Sequence, residues 1–177
     1  MEEITFPEIE TLEDLLVNAV DNVFSTMLEL KPVYKQTLSA EELNGNNSPF
    51  YALGSKDPLI VGSIGFTGEA NGVVFIYIEY EVAIEITSVM TGMDADELKE
   101  EMDIIKDVIG EICNMTIGNF KNGICDLGFN CRVTLPTVLR GNQIEVNSIQ
   151  SAERHAFCFE LFNHPLVIDL FVQKGGQ

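Results

Sequence analysis

One short segment of the sequence carries two side chains that could take part in a reaction. The segment runs over residues 107–121 and contains Glu111 and Asn114, three residues apart. A carboxylate can accept a proton or bind a cationic side chain. A carboxamide both donates and accepts hydrogen bonds, so it can orient a water molecule without being consumed. Neither is a good nucleophile or a metal site by itself, so the pair suits a site that a partner protein completes.

Helical spacing places this pair on one polar face. At about 100° per residue, Asp107, Glu111, Asn114 and Gly118 fall within a wedge of roughly 60°, and Gly110 borders the wedge. The apolar residues gather on the opposite side of the same helix: Ile105, Val108, Ile109, Ile112 and Phe120. The sequence therefore predicts an amphipathic helix whose polar face turns away from the core.

The two glycines beside the pair are unusual for a solvated helix surface. Each costs on the order of 1 kcal/mol relative to alanine inside a helix, and Asp107 and Glu111 are like charges four residues apart. Gly110 and Gly118 would fit a docking face at which another molecule approaches the backbone closely. The alternative is a solvated face with one glycine packed against a neighbouring element.

The elements that must position this helix follow from periodicity and turn residues. Gly92 and the pair Asp94 and Glu97 mark the end of one helix and the start of the next, and Gly141-Asn142 indicates a tight hairpin turn. Residues 39–49 are predicted as a loop. Helices are predicted over residues 11–30, 81–91 and 95–121, and strands over residues 59–67, 72–80, 131–139, 143–149, 154–162 and 166–172.

The order of these elements predicts an α+β fold in a single domain over residues 1–177. Short turns between the strands indicate a mostly antiparallel sheet with helices packed on it. Each half has a long amphipathic helix that leads into strands, which suggests a duplication with pseudo-repeated halves.

Composition excludes several function classes. The chain has 28 acidic and 10 basic side chains and a formal net charge of −18, which argues against nucleic acid and anionic membranes as partners. The start of the chain is acidic and the longest apolar run, residues 73–78, is too short for a membrane span, so we expect a cytoplasmic protein. Cysteine and histidine spacings match no metal site, so we expect no cofactor and no bound metal.

The helical segment resembles the motif of the CheC/CheX/FliY phosphatase family: Asp or Ser, three residues, Glu, two residues, Asn, twenty-two residues, Pro. Asp107, Glu111 and Asn114 fill the helical positions, and Pro136 follows Asn114 after twenty-one residues, one fewer than the motif has. In the first helix Asp14 is followed by Asn18 and Asp21, and Glu-x-x-Asn is missing. A chain with one copy of the motif resembles the CheX branch of the family.

The resemblance implies a phosphorylated CheY-like receiver domain as substrate. Glu111 would bind the receiver's lysine, and Asn114 would position a water in line with the aspartyl phosphate, with Mg²⁺ held by the receiver. Asp107 would support the helix face, and Pro136 would shape the strand end beside the site or be an edge-strand proline. The resemblance also implies a CheC-like fold and a homodimer.

Other functions remain open from the sequence. A CheX-like docking module could bind receiver domains without catalysis, in which case Asn114 would have no special role. A flagellar or sensory structural protein could use the same fold as an interface. A metal hydrolase ranks last, because ligand clusters are absent from the sequence.

Overall fold

Five helices and seven strands form in the parts of the chain that the computed structural model describes, residues 6–43, 48–147 and 149–174. The helices are α1 (Ile9–Leu28), α2 (Pro49–Ala52), α3 (Tyr80–Thr91), α4 (Ala95–Leu98) and α5 (Met102–Asp126). The strands are β1 (Val33–Ser39), β2 (Leu59–Gly68), β3 (Ala70–Glu79), β4 (Cys131–Val133), β5 (Thr137–Gly141), β6 (Glu153–Leu161) and β7 (His164–Lys174). None of the described helices is long and apolar enough to cross a lipid bilayer.

The strands form one sheet in the order β1-β6-β7-β3-β2-β4, and β5 also pairs with β2. Every pairing is antiparallel. The hairpins β2–β3 and β6–β7 provide the four central strands, as short connections favour. The predicted α+β class, with helices packed on an antiparallel sheet, is confirmed.

The strand order supports the predicted duplication. In the first half α1 leads to the strand β1 and then to the hairpin β2–β3, and in the second half α5 leads to β4 and β5 and then to the hairpin β6–β7. Exchanging the two halves reverses the strand order and reproduces it, with β3 and β7 paired at the centre. The two halves therefore occupy equivalent places around a pseudo-twofold relation.

The main core lies between the sheet and the helices α1, α3 and α5. Helices α1 and α5 lie side by side, where the Leu15 side chain fills the space above Gly123. The Asn22 side chain donates a hydrogen bond from Nδ2 to Oδ1 of the Asn119 side chain across the same pair of helices, at 3.3 Å. The other sheet face is covered by a smaller apolar cluster around Phe50 of α2.

The predicted helix over residues 95–121 is wrong in its first turns. Helix α4 ends at Leu98, and α5 begins at Met102 and continues to Asp126. The amides of Glu100 and Glu101 bond to carbonyls three residues back, a tighter turn than an α-helix makes. Like charges three and four residues apart in this acidic stretch disfavour a continuous helix. Gly92 is the predicted left-handed cap, with φ 73°. Asp94 does cap a helix, but that helix is the short α4, and the Asp94 side chain accepts from the Asp96 amide. The predicted pairing of Asp94 with Glu97 is not seen among the described hydrogen bonds.

Two predictions for the strands are also corrected. The described residues of the segment 143–149 do not form the predicted strand. The hairpin predicted at Gly141-Asn142 is therefore not formed by them. The amide of Gln143 donates to the Asp57 carboxylate and that of Ile144 to the Tyr51 hydroxyl, so side chains replace strand partners. The predicted strand over 131–139 is divided into β4 and β5.

Strand β1 was not predicted. Its residues show no regular alternation of buried and exposed side chains, because β1 is an edge strand. The predicted loop over residues 39–49 overlaps β1 at Ser39 and the short helix α2 at Pro49. Its residues 44–47 lie outside the described residues.

Helix α5 packs on β2 with a very close contact at Gly62. A Cβ added to Gly62 would overlap the sulfur of Cys113, and Ile109 lies 4.0 Å away. Cys113 is buried, and burial raises the pKa of its thiol to about 12, so it packs as a neutral apolar group. The absence of a side chain at Gly62 therefore sets the distance between α5 and the sheet.

We expect Gly62→Ala to lower the free energy of unfolding by about 1 to 3 kcal/mol, since overpacked cores cost this much. Removal of the Cys113 sulfur should relieve the overlap, because the Cys113 Cβ would lie at an ordinary 3.5 Å from the added methyl. Urea unfolding of both variants tests the contact: Gly62→Ala with Cys113→Ala should be more stable than Gly62→Ala alone. A double variant that is less stable would contradict this packing.

Candidate functional site

Helix α5 carries the three motif residues on its solvent face. Asp107, Glu111 and Asn114 are exposed, whereas Ile109 and Ile112 on the opposite side are buried in the main core. This arrangement follows from the helical period, because residues three and four apart share a face. The structure therefore brings these three residues into one row, as the sequence analysis expected.

A shallow depression of about 420 Å³ lies where this row meets strand β5. Asp107 and Glu111 line its helix side and Pro136 its strand side. The complete lining is Lys106, Asp107, Gly110, Glu111, Pro136 and Val138. Pro136 is thus beside the helical motif although it lies far from it in sequence, and Asn114 follows Glu111 along the same helix face.

A β-bulge sets the position of Pro136. Val133 pairs with Phe66, and the Thr134 amide donates to the Gly65 carbonyl at 2.8 Å. Pairing resumes between Thr137 and Ser63, so two residues, 135 and 136, lie opposite one residue of β2. Proline lacks an amide hydrogen and is tolerated at such a bulge. The bulge explains why the predicted strand is divided.

The Glu111 and Asn114 side chains are available to a partner. Over residues 6–43, 48–147 and 149–174, neither side chain forms a hydrogen bond or an ion pair within the chain. A carboxylate and a carboxamide that stay hydrated in the free protein keep their hydrogen-bonding capacity for another molecule. Their arrangement can bind one cation and orient one water molecule.

The two glycines differ in their surroundings. Gly110 is buried and lines the depression, and a Cβ added to it would lie 3.6 Å from Val138 and 3.9 Å from Pro136. A Cβ at Gly118 would meet no atom within 4 Å. Of the two glycines expected on a docking face, Gly118 is open, whereas Gly110 packs against Pro136 and against Val138 of β5.

Sequence reasoning missed two residues of the depression, Lys106 and Val138. Val138 could have been found, because it lies two residues after Pro136 and alternate strand residues share a face. Lys106 precedes Asp107 and gave no such signal. Within the described residues, no group of three or more histidine, cysteine, aspartate or glutamate side chains is placed to hold a metal ion.

The equivalent face of α1 carries different chemistry. Asp14, Asn18 and Asp21 have the same spacing as the α5 motif and are likewise exposed. Asn18 and Asp21 stand at the α1 positions equivalent to Glu111 and Asn114. Helix α1 therefore has no paired glutamate and asparagine at these positions. The duplicated scaffold therefore presents two comparable faces, of which α5 alone carries the motif.

An antiparallel sheet with two long helices and a single Asp-Glu-Asn row defines a CheC-like protein of the one-motif type. The chain belongs to the CheX family, because the family model described as chemotaxis phosphatase CheX matches residues 60–160. This span includes α5, the bulge and most of the sheet.

Individual relatives agree with this assignment. The CheY-P phosphatase CheX of Thermotoga maritima is 32% identical over 90 residues, which cover 50% of this chain and 56% of that protein. The match thus spans little more than half of that relative's length. A crystal structure of the chemotaxis protein CheX from Desulfovibrio desulfuricans has a TM-score of 0.75 at 21% identity, over 92% of this chain and 99% of that one.

A further solved structure contains a partner. The CheX-CheY-BeF₃-Mg²⁺ complex from Borrelia burgdorferi includes a chain similar to this one, with a TM-score of 0.71 at 19% identity, over 97% of this chain and all of that chain, 100%. At these identities the structural similarities concern the fold, which is the CheC-like fold expected from the sequence.

We expect Gly118→Ala to raise the free energy of unfolding by about 1 kcal/mol, because alanine favours the helix and meets no obstacle. Gly123→Ala on the same helix is the matched control and should gain less stability, since its methyl would overlap the Leu15 side chain and force it to move. Urea denaturation of both variants measures the difference. Equal effects of the two substitutions would contradict the open surroundings of Gly118.

Proposed function

We propose that this chain is a phosphatase that hydrolyses the aspartyl phosphate of a CheY-like receiver domain. The observation that carries the proposal is the exposed pair Glu111 and Asn114 on α5, which has no partner among the described residues. Glu111 also shares a depression with Pro136. Membership of the CheX family supports it. The Borrelia burgdorferi complex supports a CheY-like partner, since it joins a CheX to CheY.

The proposed mechanism is one of positioning. The Glu111 carboxylate binds the lysine ammonium of the receiver through a charge-assisted hydrogen bond. Asn114 then enters the receiver's site, accepts a hydrogen bond from a water molecule and holds it in line with the phosphorus. The water oxygen attacks, and the bond from phosphorus to the aspartyl oxygen breaks. The aspartate leaves as a carboxylate, and the inorganic phosphate released carries the oxygen and both protons of the water. Phosphoryl transfer requires mainly such alignment and charge stabilisation, with the Mg²⁺ supplied by the receiver.

The scaffold suits this role because α5 is rigidly held. Its buried face packs on β2 at Gly62 and on α1 at Gly123, and both contacts are close. The backbone of such a helix keeps its position while the partner docks, so the entropy lost on binding is limited to that of the exposed side chains. In this scheme Asp107 supports the acidic face, and Pro136 shapes the wall opposite Glu111.

The wider setting is part of the proposal. We infer a homodimer in the cytoplasm, where phosphorylated receiver domains are found. The open side of the edge strand β1 is consistent with pairing between copies, since its backbone groups there have no strand partner among the described residues. The net charge of −18 opposes nucleic acid and anionic membranes as partners.

We expect Glu111→Ala and Asn114→Ala each to slow receiver dephosphorylation at least about a hundredfold, the order that a lost positioning or proton-handling group costs. Both side chains are exposed, so the free energy of unfolding should change by less than about 0.5 kcal/mol. The decay of a phosphorylated CheY-type receiver with Mg²⁺ is followed with and without each variant. Asn122→Ala, an exposed asparagine on the same helix, is the matched control and should retain full activity.

The two substitutions also separate catalysis from docking alone. A docking module would not accelerate receiver decay, and its affinity would not depend on Asn114. If the wild-type protein binds the phosphorylated receiver without accelerating its decay, the phosphatase proposal is wrong and the docking function takes its place.

A further inference from the structure

Leu135 is an unusually exposed apolar side chain. It is 88% exposed, whereas the other exposed large hydrophobic residues in the described parts of the chain range from 37% to 52%. A single exposed leucine is common on protein surfaces. The position of this one, in the β-bulge next to Pro136, is what calls for an explanation.

The backbone that carries Leu135 is fixed. The Thr134 amide donates to the Gly65 carbonyl at 2.8 Å, and the Gly65 amide donates to the Thr134 hydroxyl oxygen at 3.0 Å. The Thr134 hydroxyl in turn donates to the Leu135 carbonyl at 3.2 Å. Pro136 restricts the backbone on the other side. The side chain is therefore held away from the core on a rigid support, and bulges commonly redirect side chains in this way beside functional sites.

Leu135 directly precedes a residue that lines the proposed catalytic surface. Pro136, its neighbour, lines the same depression as Asp107 and Glu111. A partner whose lysine reaches Glu111 must cover this depression and its rim. Such a partner meets the carboxylates, which complement a cationic group, and the chain segment beside them that carries the exposed Leu135.

We propose that Leu135 is an apolar anchor that packs against the phosphorylated receiver domain and seals the edge of the contact around Glu111. This inference rests on the proposed function and names a docking determinant of the same site. Contacts that exclude water from the rim of an interface strengthen the polar contacts inside it, and an ion pair gains strength when water is excluded. Leu135 would thus act on binding of the receiver and leave the alignment of the water to Asn114.

The test compares Leu135→Ala with Leu127→Ala. Leu127 is a 41% exposed leucine at the end of α5, sixteen residues and about 24 Å along the helix from Glu111. Two quantities are measured for each: the kinetics of dephosphorylation of a CheY-type receiver phosphorylated with acetyl phosphate, and the affinity for the same receiver loaded with BeF₃ and Mg²⁺. We expect Leu135→Ala to raise KM and Kd about tenfold and to change kcat less than twofold, the pattern of lost uniform binding. Leu127→Ala should match the wild type.

The possible results are distinguishable. Unchanged KM and Kd in folded Leu135→Ala protein would overturn the anchor, even with the phosphatase activity established. A loss of dimer in sedimentation analysis without loss of receiver affinity would assign Leu135 to contact between copies and would also overturn it. If the wild type binds the receiver without catalysis, the phosphatase proposal fails and the affinity comparison still decides the anchor. If the wild type does not bind, both proposals fail.

Discussion

The close contact between α5 and β2 determines where the candidate site lies. Gly62 has no side chain, and the sulfur of Cys113 occupies that space. This contact fixes the height of the helix above the sheet and its rotation about its own axis. Because Cys113 and Ile109 face the sheet, Glu111 and Asn114 must face solvent. The direction of the proposed catalytic pair is thus a consequence of core packing.

A second constraint comes from the strand pairing beside this helix. Residues 135 and 136 together lie opposite one residue of β2. In a regular strand each residue would have its own partner, so these two residues would occupy different positions. The bulge brings Pro136 to the depression shared with Glu111 and exposes Leu135. The wall of the site and its apolar rim thus arise from one irregularity in the sheet.

The two halves of the fold share a backbone arrangement but expose different side chains. Helices α1 and α5 occupy equivalent places around the central strands, and both expose three polar residues at the same spacing. The difference lies in the residue types, since Asn18 and Asp21 stand where α5 has Glu111 and Asn114. The fold provides two faces, and side-chain identity restricts the proposed reaction to one of them.

The sequence by itself determined the features that depend on near neighbours. The period of α5 placed Glu111 and Asn114 on one face, and Gly92 was identified as a cap, because both follow from residues within four positions of each other. The tertiary structure decided the rest. Gly110 lies beneath β5 and Pro136 meets the helix, and the amides of Gln143 and Ile144 bond to side chains 86 and 93 residues away. Partners so distant in the chain leave no local period, so only the folded chain brings them together.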